Sequence, residues 1–207
     1  MSISPVKTTG SRAADRMRIY KLALGALFIS LSIVLTRYAS IMLLPTIRVG
    51  FGSIPIQIAG IILGPISGTL VGLVADPLGF ILNPQGTYHL GFLLSSALNG
   101  FIPGCISYGL IFLIQKDERL QKKTFQFDFW TALSSTIVLT LLCSILLNTM
   151  WLAQIFKTNY TALLITRLPA VLVNSLIHFV LLIVLLPALN KAGAGRIRSM
   201  NRLHKGN

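Results

Sequence analysis

The stretch "IPIQIAGIILGPISGTLVGLVADPLGFIL" (Ile54–Leu82) decides the fold, because it sets how often the chain crosses a bilayer. Unbroken, it would exceed the roughly 20 apolar residues that span hydrocarbon. Gly64-Pro65 divides it, since glycine and proline together mark a turn. The pattern therefore predicts two helices, Ile54–Leu63 and Ile66–Leu82. The first crosses only if its start extends to about Phe51. The second carries Asp76 followed by Pro77, a lone carboxylate inside an oily run. The other acidic residues, Asp15, Asp117, Glu118 and Asp128, lie beside basic, polar stretches where a charge is cheap.

The rest of the chain has the same character. Of its 207 residues 54% are hydrophobic and 11% charged, with a mean hydropathy of +0.77. Those values exclude a water-soluble domain and define a multispanning membrane protein. Further spans are expected at Ile19–Thr36, Tyr88–Ile114 (kinked at Pro103-Gly104), Phe129–Leu152 and a tilted Ala162–Leu189. The fold class is thus all-α, a polytopic six-helix membrane domain over 18–190 between a basic segment, 1–17, and a basic tail, 191–207. "RYASIMLLPTIRVGFGS" (Arg37–Ser53), interrupted by Pro45, reads as a loop or re-entrant segment. The first helix could mimic a signal peptide, but Thr36-Arg37 follows it and no small-residue cleavage site does. It is read as uncleaved.

A net charge of +13 raises nucleic acid as a partner, and the distribution argues against it. Lys7, Arg12, Arg16, Arg18 and Lys21 precede the first span; Lys116, Arg119, Lys122 and Lys123 occupy the mid-chain loop; Lys191, Arg196, Arg198, Arg202 and Lys205 follow the last span. Basic clusters beside spans set orientation and touch anionic lipid headgroups. With both termini and the 115–128 loop in the cytoplasm, those fourteen residues lie inside, and Arg37, Arg48 and Lys157 outside. The location implied is the plasma membrane of a prokaryote. Cys105 and Cys143 lack metal-type spacing and read as small core hydrophobes. "NYT" (Asn159–Thr161) matches a glycosylation sequon too short to carry weight.

Polar residues inside the spans are the functional candidates. Thr136, Thr140, Ser144 and Asn148 recur every four residues, on one slowly drifting stripe, and Trp151 follows. Arg167, Asn174 and His178 share a face of the last helix; Asn99 lies one turn beyond Ser95 and Ser96. Hydroxyls commonly glue membrane helices together, at ~0.6 kcal/mol per contact, which suffices for Thr136, Thr140 and Ser144. His178 reads as a core histidine. A charge near mid-bilayer costs at least ~2.5–3.5 kcal/mol, so Asp76 and Arg167 must face a partner or a cavity. Two readings stand: an ion pair of Asp76 with Arg167 or Arg48, or a ligand pocket opening outward. Arg37, Arg48, Tyr88, His89, Trp151 and Lys157 lie at the outer ends. Aromatics, amides and excess cations suit a flat, hydrogen-bonding, anionic small molecule.

Other chemistry is missing. No G-x-x-x-x-G-K-[ST] binds nucleotide, and no HExxH or paired metal-ligand cluster occurs. "GPISG" (Gly64–Gly68) approaches an intramembrane serine protease motif, but its spacing is one residue too long. Neither an enzyme nor a cofactor is expected. Internal repeats typical of many secondary transporters are not visible. A binder without its own energy source implies partner proteins.

Three segments together carry a resemblance: "LTRYASIMLLPTIRVGFGSIPIQIAGIILGPISGTLVGLVADPLGF", "NPQGTYHLGFLLSSALNGFIPG" and "LNTMWL". In order they contain R-x-G-F-G-x-x-P, G-P-x-x-G and A-D-x-x-G. The chain resembles the substrate-binding S-components of energy-coupling factor (ECF) vitamin transporters, the folate-specific type above all, from about Arg18 to Leu189. The resemblance implies a six-helix subunit that binds vitamin from outside. It would associate with a transmembrane coupling protein and two cytoplasmic ATPases, and topple in the membrane to release its cargo. The family presents a small-xxx-small patch to the coupling protein; here the nearest match is Ala26 to Ser30, with Ala23 adjacent. The loop Arg37–Gly50 would cover the site as a lid.

Folate combines a pterin ring, an aminobenzoyl unit and a glutamate tail with two carboxylates. For it the sequence offers Phe51, Tyr88 and Trp151 to stack, His89 beside them, Asn99 and Asn148 as amides, and Arg37, Arg48, Arg167 and Lys157 as cations. Asp76 would accept bonds from the amino-pyrimidine edge, as a carboxylate matches two adjacent N–H donors. The alternatives are an S-component for another planar metabolite (thiamin, riboflavin or a queuosine precursor), a membrane enzyme, and a scaffold subunit without ligand.

Overall fold

The structure is a computed structural model, and it describes residues 9–44, 47–84, 89–115 and 124–189. Helix α1 (Thr9–Arg37) leads into strands β1 (Ile41–Leu44) and β2 (Ile47–Val49), followed by α2 (Ser53–Leu63), α3 (Pro65–Leu82) and α4 (Leu90–Gln115). Next comes one long helix in three parts: α5 (Thr124–Leu139), a π-helical stretch (Thr140–Leu147) and α6 (Asn148–Phe156). Helix α7 (Tyr160–Leu189) ends the described chain. Five helices are long and apolar enough to cross a membrane, and α2 is a shorter apolar helix.

The turn at Gly64-Pro65 forms as expected, and its chemistry is specific. Gly64 adopts φ 104°, a conformation open to glycine, while its N–H donates to Gly60 O at 3.1 Å. Pro65 then starts α3, where its missing N–H would have had no helical partner. The short α2 is the centre of the molecule: every residue from Ile54 to Leu63 is buried, against α1, α3, α4 and α7. An apolar run without a polar face belongs in such a place.

Helices α2, α3 and α4 meet backbone to backbone. A Cβ on Gly60 or Gly68 would run into the carbonyl of Gly100, and one on Gly100 into the carbonyl of Gly68. Small residues permit this approach, which takes the place of the hydrophobic drive that lipid does not supply.

Arg37–Ser53, expected as a loop or re-entrant segment, includes two short strands among its described residues. It holds an antiparallel β1–β2 hairpin pairing Ile41 with Val49, Met42 with Arg48 and Leu44 with Ile47. Asp128 also departs from expectation. It is 1% exposed, buried in α5 rather than left among the solvated charges of the preceding loop. Between α6 and α7, Lys157 takes a left-handed φ of 50° and ends α6. The Asn159 side chain accepts the Thr161 N–H at 3.3 Å and so caps α7, the helical use of the "NYT" triplet.

Candidate functional site

A cavity of about 270 Å³ lies between α1, α2, α4, the long π-containing helix and α7. Its wall is polar. Thr36 comes from α1, Gly50 and Gly52 from the link after β2, Ser53 and Gln57 from α2, and Asn99 from α4. The long helix contributes Thr136, Leu139, Thr140, Ser144 and Asn148, and α7 contributes Asn174, Ser175 and His178.

The link from β2 to α2 is tied down on two sides. Ser32 Oγ donates to Gly52 O at 2.7 Å, and a Cβ on Gly52 would strike the Thr36 side chain. On the opposite side His178 Nε2 lies 2.9 Å from Gly50 O, and its Nδ1 lies 3.4 Å from Ser53 Oγ. A carbonyl only accepts, so Nε2 carries the proton and Nδ1 accepts from the Ser53 hydroxyl. The core-histidine expectation is thus half of the answer: His178 is buried and satisfied, yet it forms part of the cavity wall.

The π stretch explains how four residues spaced by four all reach one cavity. Steps of four overshoot an α-turn of 3.6 residues and undershoot the wider π-turn. Thr136 to Thr140 is a step of the first kind; Thr140 to Ser144 and Ser144 to Asn148 are of the second. The drift expected of a pure α-helix is cancelled. Thr140 Oγ also sits 2.7 Å from Ser175 Oγ, so the gluing role of this hydroxyl holds beside its place in the wall.

Four wall atoms are buried without a hydrogen-bond partner among the described residues: Gln57 Oε1, Thr136 Oγ1, Asn148 Oδ1 and Asn174 Oδ1. Each orphaned polar atom costs ~1–3 kcal/mol, and native proteins rarely tolerate several together. All four converge on one cavity, where hydrogen bonds from a bound molecule would satisfy them. Among the described lining residues there is no carboxylate and no lysine or arginine. The wall suits a neutral, hydrogen-bonding ring system.

The sequence candidates divide accordingly. Asn99 and Asn148 line the cavity. Trp151 follows Asn148 by three residues on α6, its ring 5.3 Å from that of His89, and Phe92 meets His89 edge to face at 6.3 Å. Phe51 packs at the margin of the apolar core. Asp76 and Arg37 face each other's charge, with Arg37 against Gly79 and its guanidinium 5.9 Å from the centre of the Phe80 ring. Among the described side chains the cation near Asp76 is therefore Arg37, not the expected Arg167; the expected Arg48 side chain lies outside them. Arg167 instead donates to Thr149 Oγ1 at 2.9 Å. Tyr88 and the Arg48 side chain lie outside the described residues. Ala23, Ala26 and Ser30 are exposed on α1.

Sequence reasoning passed over Thr36, Gly50, Gly52, Ser53, Gln57 and Ser175, and placed Asn174 on the correct face without assigning it to the site. Gln57 carried the clearest signal: it is the one amide in the apolar run Ile54–Leu63 and is 2% exposed.

A bundle of apolar helices around a polar cavity defines a membrane-embedded binding protein. The chain belongs to the substrate-specific components of ECF transporters, whose family model matches residues 20–189. It is 34% identical over 143 residues to the folate transporter FolT of Clostridium novyi (strain NT), an alignment covering 69% of this chain and 74% of that one. Its fold is similar to a crystal structure of FolT bound with folic acid, with a TM-score of 0.56 and 25% identity over 79% of this chain and 87% of the other.

Proposed function

We propose that the chain is the folate-binding subunit of an ATP-driven importer. Residues 18–190 would cross the membrane six times with both ends in the cytoplasm, as the fourteen inside-facing basic residues favour. A transmembrane coupling protein, docking on Ala23, Ala26 and Ser30, and two cytoplasmic ATPases would supply the energy that this chain has no nucleotide motif to draw on.

The observation that carries this reading is the cluster of orphaned oxygens on Gln57, Asn148 and Asn174. A pterin edge presents adjacent N–H donors and ring acceptors, and amides answer both. The cavity, about 270 Å³, suits the ring end of folate and leaves the glutamate tail to extend outward. There His89, Trp151 and Phe51 would offer ring surfaces, and Arg37, Arg167 and Lys157 cations, with Tyr88 and Arg48 as further candidates from the sequence. Asp76 keeps a place in the site as the carboxylate whose charge holds Arg37 at its rim. Calorimetry on the purified chain, without ATP or partners, should give saturable binding of folate or a reduced folate. Silence with folates and a saturable response to riboflavin or thiamin would replace this reading with that of a different vitamin subunit.

A further inference from the structure

Two arginines of the described helices are withdrawn from solvent, Arg37 buried and Arg167 part-buried, and their surroundings are unlike. Arg37 faces the charge of Asp76. Arg167 lies within the apolar helix α7, and among the described residues its hydrogen bond is to the neutral Thr149 hydroxyl, with no carboxylate against it. A guanidinium has five N–H donors, so most of its capacity is unused. A cation at such depth needs an anion or a water-filled cavity to be tolerated.

Two constraints place it relative to the cavity. Arg167 and Asn174 are seven residues apart on α7, two turns along one face, so Arg167 sits about 10 Å from Asn174 toward the Tyr160 end. Its partner Thr149 directly follows Asn148, whose orphaned oxygen belongs to the cavity wall. The uncharged, amide-lined cavity and the Arg167 guanidinium thus lie near each other along α7, although Arg167 is not itself in the cavity wall.

Resting on the reading of the cavity as the folate site, we propose that Arg167 is the specificity-determining anion receptor: it takes a carboxylate of the ligand's glutamate tail while the ring occupies the amide-lined cavity. The site then selects a hydrogen-bonding ring joined to an acid about 10 Å away, and discriminates against the same ring system lacking the acid. An Arg–carboxylate fork gives direction as well as charge, and Thr149 holds the guanidinium for it.

The test compares folate with its dimethyl ester, on wild-type protein and on Arg167→Gln and Arg167→Lys. The wild type should prefer folate by about thirtyfold or more, as expected for a desolvated charge pair. Arg167→Gln should remove that preference while leaving affinity for the ester within about threefold. Arg167→Lys should retain part of the preference, because it keeps the charge without the fork. Equal wild-type affinities for folate and ester overturn the inference without any variant, should Arg167→Gln fail to fold. A loss of both ligands to the same extent in Arg167→Gln also overturns it, as that marks a purely structural arginine. If the wild type binds no folate, the functional reading fails and this inference falls with it; folate binding with an unchanged ester ratio removes the inference alone.

Discussion

Where α2, α3 and α4 meet, glycines at 60, 68 and 100 set backbone against backbone and leave no room for a methyl group. Where the long π-containing helix faces α7, hydroxyls and amides stand around a cavity, and several of their oxygens have no partner among the described residues. Helix α2 belongs to both regions, with Gly60 on the packed side and Gln57 on the open side. The two respond to opposite demands. A membrane protein has no hydrophobic drive between helices, so close contact must supply cohesion. A binding protein must keep polar groups unsatisfied, which costs stability. The glycine contact offsets what the cavity gives up.

The largest effect should come from breaking the packed region. Gly100→Val places side-chain atoms where the Gly68 carbonyl lies, and neither backbone can retreat without parting two helices. We expect a loss of about 3 kcal/mol or more, read as failure to purify a monodisperse protein. A normal melting curve for this variant would show that α3 and α4 are not in contact there.

Charge comes next. Asp76→Asn removes the carboxylate facing Arg37 and should lower ligand-free stability by about 2–4 kcal/mol, with Arg37→Gln doing the same. The double variant should recover much of the loss, since no buried charge is left stranded. If Asp76→Asn melts normally but loses folate affinity, the carboxylate reads the pterin edge instead.

In the open region the expected pattern reverses. Asn148→Ala or Asn174→Ala removes an orphaned amide, so ligand-free melting should stay level or rise, while folate affinity falls about 10–100-fold. A fall in stability without ligand would mark these amides as structural. Smallest for the purified chain is Ala26→Leu or Ser30→Leu on the exposed face of α1. Binding and melting should not move, whereas uptake in cells that contain the ATPase module should stop, because a bulky side chain prevents close helix approach. Uptake at normal expression would place the docking face elsewhere.

How much of this was legible in the sequence follows the same division. The break at Gly64-Pro65, the apolar stretches that become helices and the polar stripe ending at Asn148 could be read because apolar length and punctuation are local properties, whereas α1 starts at Thr9 and α5 at Thr124, ahead of the expected Ile19 and Phe129. The β1–β2 hairpin could not, since "IMLLPTIRV" has no alternation on either side of Pro45 to distinguish strand from loop. Gln57 stood out as the single amide of its run, but a lone amide does not announce which neighbour it faces, so its place in the cavity wall could not be read. The choice of Arg37 over Arg167 as the cation beside Asp76 depends on where α1 ends against α3, a tertiary fact without a sequence signature. The stripe from Thr136 to Asn148 was seen, but a steady α-helical drift was expected of it, because nothing in "TLLCSILL" distinguishes wide turns from ordinary ones.

Those wide turns bear on how such a pocket can change over evolutionary time. A π-turn is what an α-helix becomes when it absorbs an extra residue, so removing one residue between Thr140 and Leu147 would restore ordinary turns with α5 and α6 still facing as before. A one-residue deletion inside a transmembrane helix is normally ruinous, since it turns everything beyond it through a quarter circle or more. At this stretch it would instead exchange which side chains meet the cargo and leave the neighbouring helices undisturbed. Insertions and deletions, ordinarily confined to loops, thus become a means of altering substrate choice from within the membrane.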